Sequence, residues 1–445
     1  MTLSGQRGVI MNEAIFGIAL LFFLLMFFFT GIEIGFAMAV VGFLGFAHLV
    51  SFKAAVDLVG RDLFEVFSSY SYTVFPVFLF MGQIGFASGI AGRLYDAAHK
   101  FIGHVPGGLA MATVVGATAF KAICGSATAT AATFASVATP QMDRYGYQRI
   151  LSTGVVASVG TLGCLIPPSV FLMILGIITE QSIGKLFLAG LMPGLITAFL
   201  FILIIFGWTR INPKIAPKSE RSTWKVRAQS LPDIGWVLLV FLLVVGGVMT
   251  GWFTPTESGA IGTLCVLALT FVKKDMNPKK YVSAAKDSLR TACMFLMLLA
   301  GSAILGHFIA ATNIPQFASD WIISLPIHRY LIMIIICLIY LVGGSFIDDI
   351  AFMVLATPIF YPTVLKLGYD PIWFCILLAV TVMIGVVVPP VAICVFVVKN
   401  ITRTPLGVIY KGVVPFLLAI TIVGILLFLF PQIALFLPNM LMPKG

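Results

Sequence analysis

The chain has 445 residues, of which 60% are hydrophobic and only 10% are charged. A water-soluble protein of this length would need a larger charged surface, so the composition indicates a membrane protein. The net charge of +10 does not indicate nucleic-acid binding, because the basic residues lie in short loops between apolar runs. There they are better explained as determinants of membrane topology.

Apolar runs recur along the whole chain, and many are long enough to cross a hydrocarbon core of about 30 Å. Alternating strand patterns are absent, so the spans are predicted to be helical. The first run, "AIFGIALLFFLLMFFFTG", has no cleavage-site pattern and leads directly into another span, which predicts a retained helix. The seven cysteines lie within apolar segments without a C-x-x-C pair, so neither a disulfide framework nor a zinc site is indicated.

In chain order, each half begins with two predicted spans and an amphipathic stretch, at Lys53–Phe67 and at Asn277–Arg290. A third span and a second amphipathic stretch follow ("GRLYDAAHKFIGH" and "PQFASDWIISLP"). Next comes a segment with a central Gly-Ser, whose arms are too short to span comfortably; it is interpreted as a re-entrant hairpin. A span broken by Pro-Pro (Ile150–Ile178; Ile372–Lys399) and one closing span complete each half.

These segments form an internal repeat. Gly125-Ser126 returns as Gly344-Ser345, and beyond them an ungapped offset of 222 residues pairs many glycines and prolines. Such residues fix backbone shape, so the two halves are predicted to share a fold. The predicted divisions are an N-terminal tail at 1–11, a first repeat at 12–208 with its hairpin at about 107–141, a basic cytoplasmic linker at 209–232, and a second repeat at 233–440 with its hairpin at about 327–362.

Each half therefore has five spans and one hairpin, and an odd number of spans inverts the second half relative to the first. Most lysines and arginines fall in the loops that this topology places in the cytoplasm, with both termini outside. The fold class is thus an all-α polytopic membrane protein with an inverted-topology repeat. A bundle with parallel repeats stays open.

Irregular backbone at membrane depth is tolerated where it lines a cavity or binds a ligand. Two hairpin tips and two broken helices in matched positions therefore predict two halves of one binding site. The helix after each tip begins with free N–H groups that suit an anion. The hydroxyls of Ser126, Thr128 and Thr130 suit a carboxylate or a sodium ion. The alternative is that Pro-Pro only kinks a helix and Gly-Ser only permits close packing.

Five charged residues in apolar surroundings have two interpretations each. Asp348 and Asp349 at the second tip are either functional carboxylates or helix caps. Lys121, one turn before the first tip, contacts either an anionic substrate or a structural carboxylate. Glu33 and Glu257 form a symmetric pair at the start of matching spans, and a helix cap is favoured over a proton relay for both.

Several motifs in order resemble the large membrane subunit of tripartite ATP-independent periplasmic (TRAP) transporters, the DctM-like family of the ion transporter superfamily. They include "PGGLAMATVVGATAFKAICGSATATAA", "GTLGCLIPPSVFLMILG", "GWFTPTESGAIG" and "IGVVVPPVAICVFVV", and the resemblance covers nearly the whole chain. The family often has glycine where this chain has Ala392.

The resemblance implies an elevator-type secondary transporter in the bacterial inner membrane, driven by sodium, with no other cofactor. It also implies a soluble periplasmic binding protein and a small four-helix membrane subunit, expected as a separate chain because no four-helix segment precedes residue 12. Its substrates would be small carboxylates such as C4-dicarboxylates, sialic acid and other sugar acids. A stand-alone sodium/carboxylate symporter is the nearest alternative, followed by an intramembrane enzyme or a channel.

By motif position, the resemblance assigns sodium coordination to Ser126, Ser345 and the carbonyls of Gly385, Val388 and Pro390, with Gly163, Ile166 and Pro168 as a second set. The candidate substrate-binding residues are Gly125, Ser126, Thr128, Thr130, Lys121, Gly344, Asp348 and Asp349. No catalytic constellation and no P-loop pattern are present in the sequence, so neither enzymatic activity nor direct use of ATP is expected.

Overall fold

The computed structural model describes residues 16–442 apart from 18, 28, 29, 218–221 and 325. Within these residues every regular element is helical. The α-helices of nine or more residues after residue 33 are α1 (Ile34–Leu49), α2 (Phe52–Ser68), α3 (Val74–Ala87), α4 (Ile90–Ile102), α5 (Gly108–Lys121), α6 (Ala127–Arg144), α7 (Arg149–Thr161), α8 (Val170–Ile178), α9 (Ile183–Ile211), α10 (Trp224–Phe241), α11 (Pro255–Lys273), α12 (Pro278–Ala311), α13 (Ile314–Ser324), α14 (Arg329–Phe346), α15 (Asp349–Lys366), α16 (Pro371–Gly385), α17 (Ile393–Thr402), α18 (Leu406–Leu429) and α19 (Gln432–Leu441). A π-helical segment (Leu242–Gly246) and a short α-helical turn (Gly247–Met249) extend α10.

Eight helices in the described part of the chain are long and apolar enough to cross a membrane. Their outward surfaces carry large apolar side chains, such as Phe199, Leu418 and Leu429, that are more than half exposed. A water-soluble protein would bury such side chains, whereas the acyl chains of lipids can cover them. The prediction of an all-α polytopic membrane protein is confirmed.

The chain forms two compact units, and each draws on both sequence halves. One unit comprises residues 1–75 and 290–371 and contains the second hairpin, α14 and α15. The other comprises residues 76–289 and 372–445 and contains the first hairpin, α5 and α6, together with both broken helices. The compact units therefore do not coincide with the two halves of the sequence repeat.

Matched positions of the repeat have the same backbone conformation. Gly146 and Gly368, each just past the end of a hairpin arm, have φ angles of +77° and +79°. The amide of the next residue then returns to the helix in both cases, from Tyr147 N to Met142 O and from Tyr369 N to Val364 O. A residue with a side chain is strained at such φ values, which explains glycine at both sites.

The two Pro-Pro breaks also correspond. The Pro167-Pro168 and Pro389-Pro390 peptide bonds are both cis. Before them, the amide of Ile166 bonds to Leu162 O, and the amide of Val388 bonds to Ile384 O at the matched position. The breaks diverge afterwards, because Ser169 caps α8 with its hydroxyl whereas Ala392 precedes α17 with a φ of +44°. Ala392 therefore adopts a left-handed conformation that glycine would adopt without strain.

Two predicted segments differ from the structure. The segment interpreted as a linker at 209–232 is partly helical, because α9 continues to Ile211 and α10 begins at Trp224. The start of α10 is anchored by Arg227, whose guanidinium donates to Lys100 O at 3.1 Å and lies over the Trp224 ring. In the second half, the amphipathic stretch and the third span form one continuous helix, α12. The predicted tail at 1–11 lies outside the described residues.

The symmetric glutamates cap helices to different extents. Glu257 completes a capping box at the start of α11, where its carboxylate accepts from Thr254 N at 2.8 Å. Glu33 occupies the N-cap position of α1, but its side chain caps no amide there. The capping interpretation is thus confirmed for Glu257.

Two glycines allow α7 and α18 to pack with their backbones in contact. A Cβ atom on Gly154 would overlap the backbone of Gly412, and one on Gly412 would overlap Ile150 O. We expect Gly154→Leu to lower the free energy of unfolding by about 3 kcal/mol, because overpacking forces the two backbones apart. Gly207→Leu is the matched control, since nothing lies within 4 Å of a Cβ at that position. Thermal unfolding of both variants in detergent measures the difference, and equal melting temperatures would contradict the contact.

Candidate functional site

The first hairpin tip is a short irregular segment between α5 and α6. Ser126 has extended backbone angles, and its hydroxyl accepts from Ala129 N at 3.3 Å, which caps α6. The same hydroxyl lies 3.1 Å from that of Thr128, which is exposed. Thr130 is buried and donates to Ser126 O at 2.9 Å. The tip therefore presents two adjacent hydroxyls beside the N-terminus of an 18-residue helix, as an anion site requires.

The base of this hairpin is fixed by Tyr147, in the loop between α6 and α7. Its hydroxyl oxygen accepts a hydrogen bond from Leu109 N, in the first turn of α5, at 3.2 Å. Burial raises the pKa of Tyr147 to about 12, so the phenol stays neutral at physiological pH. This contact pairs an amide that α5 cannot pair internally.

The first broken helix contacts the tip directly. α7 ends at Thr161, a short 3-10 turn covers Leu162–Cys164, and α8 begins at Val170; the whole break is buried. A Cβ atom on Gly125 would collide with Pro168 O, and one on Gly163 would lie 3.1 Å from Ala127 N. The structure thus brings Gly125, Ser126, Gly163 and Pro168 together, as the sequence predicted.

The second broken helix lies in the same unit as the first. Gly385, at the end of α16, is buried, Val388 is half-buried and Pro390 is exposed. After the break, the sulfur of Cys394 on α17 packs against α7, where it lies 3.1 Å from a Cβ placed on Gly160. The same Cβ would lie 3.0 Å from Ala127 O. Gly160 is thus the point where the first tip and both broken helices approach one another.

Both breaks contain backbone carbonyl oxygens that accept no hydrogen bond from the described residues of their unit. Within the described residues of their unit, no donor bonds to the carbonyl oxygens of Gly163, Ile166, Pro168, Gly385 and Pro390, whereas Val388 begins a turn over 389–391. Prolines at the breaks contribute to this, since they lack an N–H group. Unpaired carbonyl oxygens are hard ligands that suit a cation such as sodium.

Lys121 is fully buried at the end of α5. Its ammonium group donates to Ser126 O at 3.0 Å and to Gly160 O at 3.2 Å. No carboxylate among the described residues of its unit lies within 4 Å of it. A structural ion pair with a carboxylate was one of the two interpretations of Lys121. It is therefore not formed within this unit. The ammonium instead interacts with backbone carbonyls, which the sequence did not predict.

The second hairpin differs from the first in the position of its tip. α14 continues through Gly344 and Ser345 to Phe346, and the hydroxyl of Ser345 donates to Leu341 O at 2.6 Å. The prediction that Gly344-Ser345 forms the tip is therefore wrong. The tip lies at Ile347 and Asp348, between the end of α14 and the start of α15. The Asp348 carboxylate sets that start, because it accepts from Ala351 N at 3.1 Å and caps α15. Helix capping is the interpretation of Asp348 that this contact supports, and Asp349 is the first residue of α15.

The two arms of the second hairpin are joined by a buried hydroxyl pair, Tyr340 and Thr357, 3.1 Å apart. Tyr340 stands 219 residues after Lys121, by the same offset that relates Gly125 to Gly344. The first hairpin therefore has a buried cation where the second has a neutral phenol. No group of three or more His, Cys, Asp or Glu side chains that could hold a metal ion occurs in the described part of the chain.

Paired hairpins, two broken helices and free carbonyl oxygens define a membrane transporter rather than a channel lined by a continuous helix. The family described as "Tripartite ATP-independent periplasmic transporter, DctM component" matches residues 20–433, and the chain belongs to it. The resemblance found in the sequence is thus confirmed, as is the expectation of a transport protein rather than an enzyme.

Curated relatives cover nearly the full chain. The C4-dicarboxylate TRAP transporter large permease DctM of Pseudomonas aeruginosa is 32% identical over 87% of this chain and 90% of its own. The sialic acid TRAP transporter large permease SiaM of Vibrio cholerae is 28% identical over 94% of this chain and 97% of its own. The ectoine/5-hydroxyectoine TRAP transporter large permease UehC of Ruegeria pomeroyi is 29% identical over 90% of this chain and 94% of its own.

The fold is similar to that of the YdaH transporter of Alcanivorax borkumensis, with a TM-score of 0.62. The match covers 85% of this chain and 90% of the other at 12% sequence identity. Such a similarity concerns the fold alone. The family match, by contrast, makes the chain the large subunit of a bacterial TRAP transporter and a multi-pass membrane protein. That family implies a small membrane subunit and a periplasmic binding protein as partners.

Proposed function

We propose that the chain imports a small organic acid by sodium-coupled elevator transport. The supporting observation is the pair of broken helices, where carbonyl oxygens such as those of Gly163 and Gly385 accept no hydrogen bond from their unit and suit sodium. They lie in the same unit as the capped N-terminus of α6, which suits an anion. Coupling follows if the two ligands bind to adjoining parts of one site. The carbonyls of Gly385, Val388 and Pro390 are the proposed sodium ligands.

The substrate class is inferred from the tip and from the names of relatives. Those names include C4-dicarboxylate, sialic acid, isethionate and ectoine, all of which carry an acidic group. In this chain, the N-terminus of α6 and the hydroxyls of Ser126 and Thr128 would bind that group. Thr130 donates to Ser126 O and is proposed to shape the tip without binding the acid directly. Asp348 is proposed to act as the cap of α15.

The proposed assembly contains this chain, a separate small four-helix subunit and a soluble periplasmic binding protein that delivers the substrate. We place it in the inner membrane with both termini on the periplasmic side, as the distribution of basic residues favours. The two hairpins would enter the membrane from opposite faces, as an inverted-topology repeat requires.

Uptake of a panel of labelled acids into proteoliposomes tests this proposal. The vesicles contain the chain and its small membrane partner, and uptake is measured with and without an inward sodium gradient and with and without the binding protein. We expect uptake of one acid class to require both. Sodium-driven uptake without the binding protein would indicate the stand-alone symporter instead, and uptake without sodium would contradict the coupling.

A further inference from the structure

We propose that the ammonium group of Lys121 is a built-in cation that permanently occupies the first-half cation position, beside Gly163, Ile166 and Pro168. Sodium then binds only at the second-half set, the carbonyls of Gly385, Val388 and Pro390. The ammonium lies beside Gly163, the first residue of the set predicted to hold a second sodium ion. It also donates to Ser126 O and Gly160 O, at the junction of the tip and the break. The inference rests on the proposed function only for sodium binding at the second-half set.

The position is electrostatically suited to a cation. Gly160 lies in the last turn of α7, at the negative end of the helix dipole, and its carbonyl oxygen accepts from Leu162 N as well as from Lys121. Lys121 is itself the last residue of α5, so its charge also favours the end of that helix. A buried ammonium without a carboxylate partner would otherwise be strongly disfavoured. The carbonyl groups are therefore the counterpart that stabilises it.

The same contacts exclude a sodium ion from this position. The ammonium fills the space beside Gly163, where even a Cβ atom would overlap with it. A second positive charge at this distance would also be repelled, and the repulsion is screened little in a buried site. In the second hairpin, Tyr340 replaces the lysine, so no side-chain cation is built into the corresponding position. The two halves would thus use different cations for the same purpose.

The test compares Lys121→Ala with Lys121→Met in the purified full chain in detergent, with sodium itself as the probe. Each variant is melted in NaCl and in choline chloride at equal ionic strength. Alanine opens the position, so sodium can replace the ammonium, whereas methionine removes the charge but fills the space. We expect the melting temperature of Lys121→Ala to rise in NaCl by about 4 °C more than that of the wild type, since an added ligand stabilises the folded state.

For Lys121→Met, we expect no rise in melting temperature in NaCl beyond that of the wild type. Equal sodium responses of the two variants would overturn the inference, as would a Lys121→Ala chain that unfolds in both salts while Lys121→Met stays folded. A wild-type chain whose melting temperature is the same in both salts would instead contradict the proposed sodium coupling. The two failures are therefore distinguishable.

Equilibrium binding of radioactive sodium to the wild-type chain provides a test that needs no variant. The inference requires one saturable sodium site per chain, because the ammonium occupies the first-half position. Two saturable sites in the wild type would overturn it, and none would contradict the sodium coupling instead. Where Lys121→Ala is folded, it should bind one sodium ion more than the wild type.

Discussion

Substitution of Gly125 by alanine is expected to reduce substrate uptake by about tenfold or more while the chain remains folded. A Cβ atom at this position would overlap Pro168 O, so either the tip or the broken helix must move. The displacement would separate the hydroxyl of Ser126 and the N-terminus of α6 from the free carbonyls of the break. A loss of 1.4 kcal/mol in substrate binding corresponds to a tenfold change in affinity.

Gly82→Ala is the matched control for this prediction. Gly82 lies in α3 beside the same tip, but a Cβ there would make an ordinary contact of 3.6 Å with Cys124. Uptake of the acid that the panel identifies, measured in proteoliposomes and normalised to folded protein, compares the two variants. Wild-type uptake by Gly125→Ala would show that transport does not need the tip to lie against the break.

The sequence predicted those parts of the fold that glycine and proline determine. The matched φ angles of Gly146 and Gly368, and the breaks before Pro167 and Pro389, follow from residues that restrict the backbone wherever they occur. For the same reason, the contact between the first tip and the first break agrees with the expected grouping of Gly125, Ser126, Gly163 and Pro168.

The second tip shows where such prediction fails. Gly344-Ser345 has the same two residues as the first tip, yet both lie within α14. The difference arises from Asp348, whose carboxylate caps α15 three residues later and moves the start of that helix. A dipeptide specifies a tip only in combination with the competing caps around it. The carbonyl partners of Lys121 were unpredictable for another reason: Gly160 is 39 residues away in sequence and is brought close only by the packing of α7.

Substitution of Gly163 by alanine is expected to destabilise the chain by about 3 kcal/mol, because the added Cβ atom overlaps the ammonium of Lys121, whose fully buried side chain cannot move into solvent. The ammonium would move away from Ser126 O and Gly160 O, and a buried charge that loses its partners is costly. Thermal unfolding in choline chloride measures this loss without a contribution from sodium binding.

A double-mutant cycle assigns the loss to this one contact. In the Lys121→Ala background the overlap is absent, so Gly163→Ala should cost only about 1 kcal/mol, and the coupling energy between the two positions should be about 2 kcal/mol. Such a coupling is large enough to separate direct contact from general loosening of the break. If Gly163→Ala is equally destabilising in both backgrounds, the ammonium does not lie against Gly163, and the cation position assigned to Lys121 is wrong.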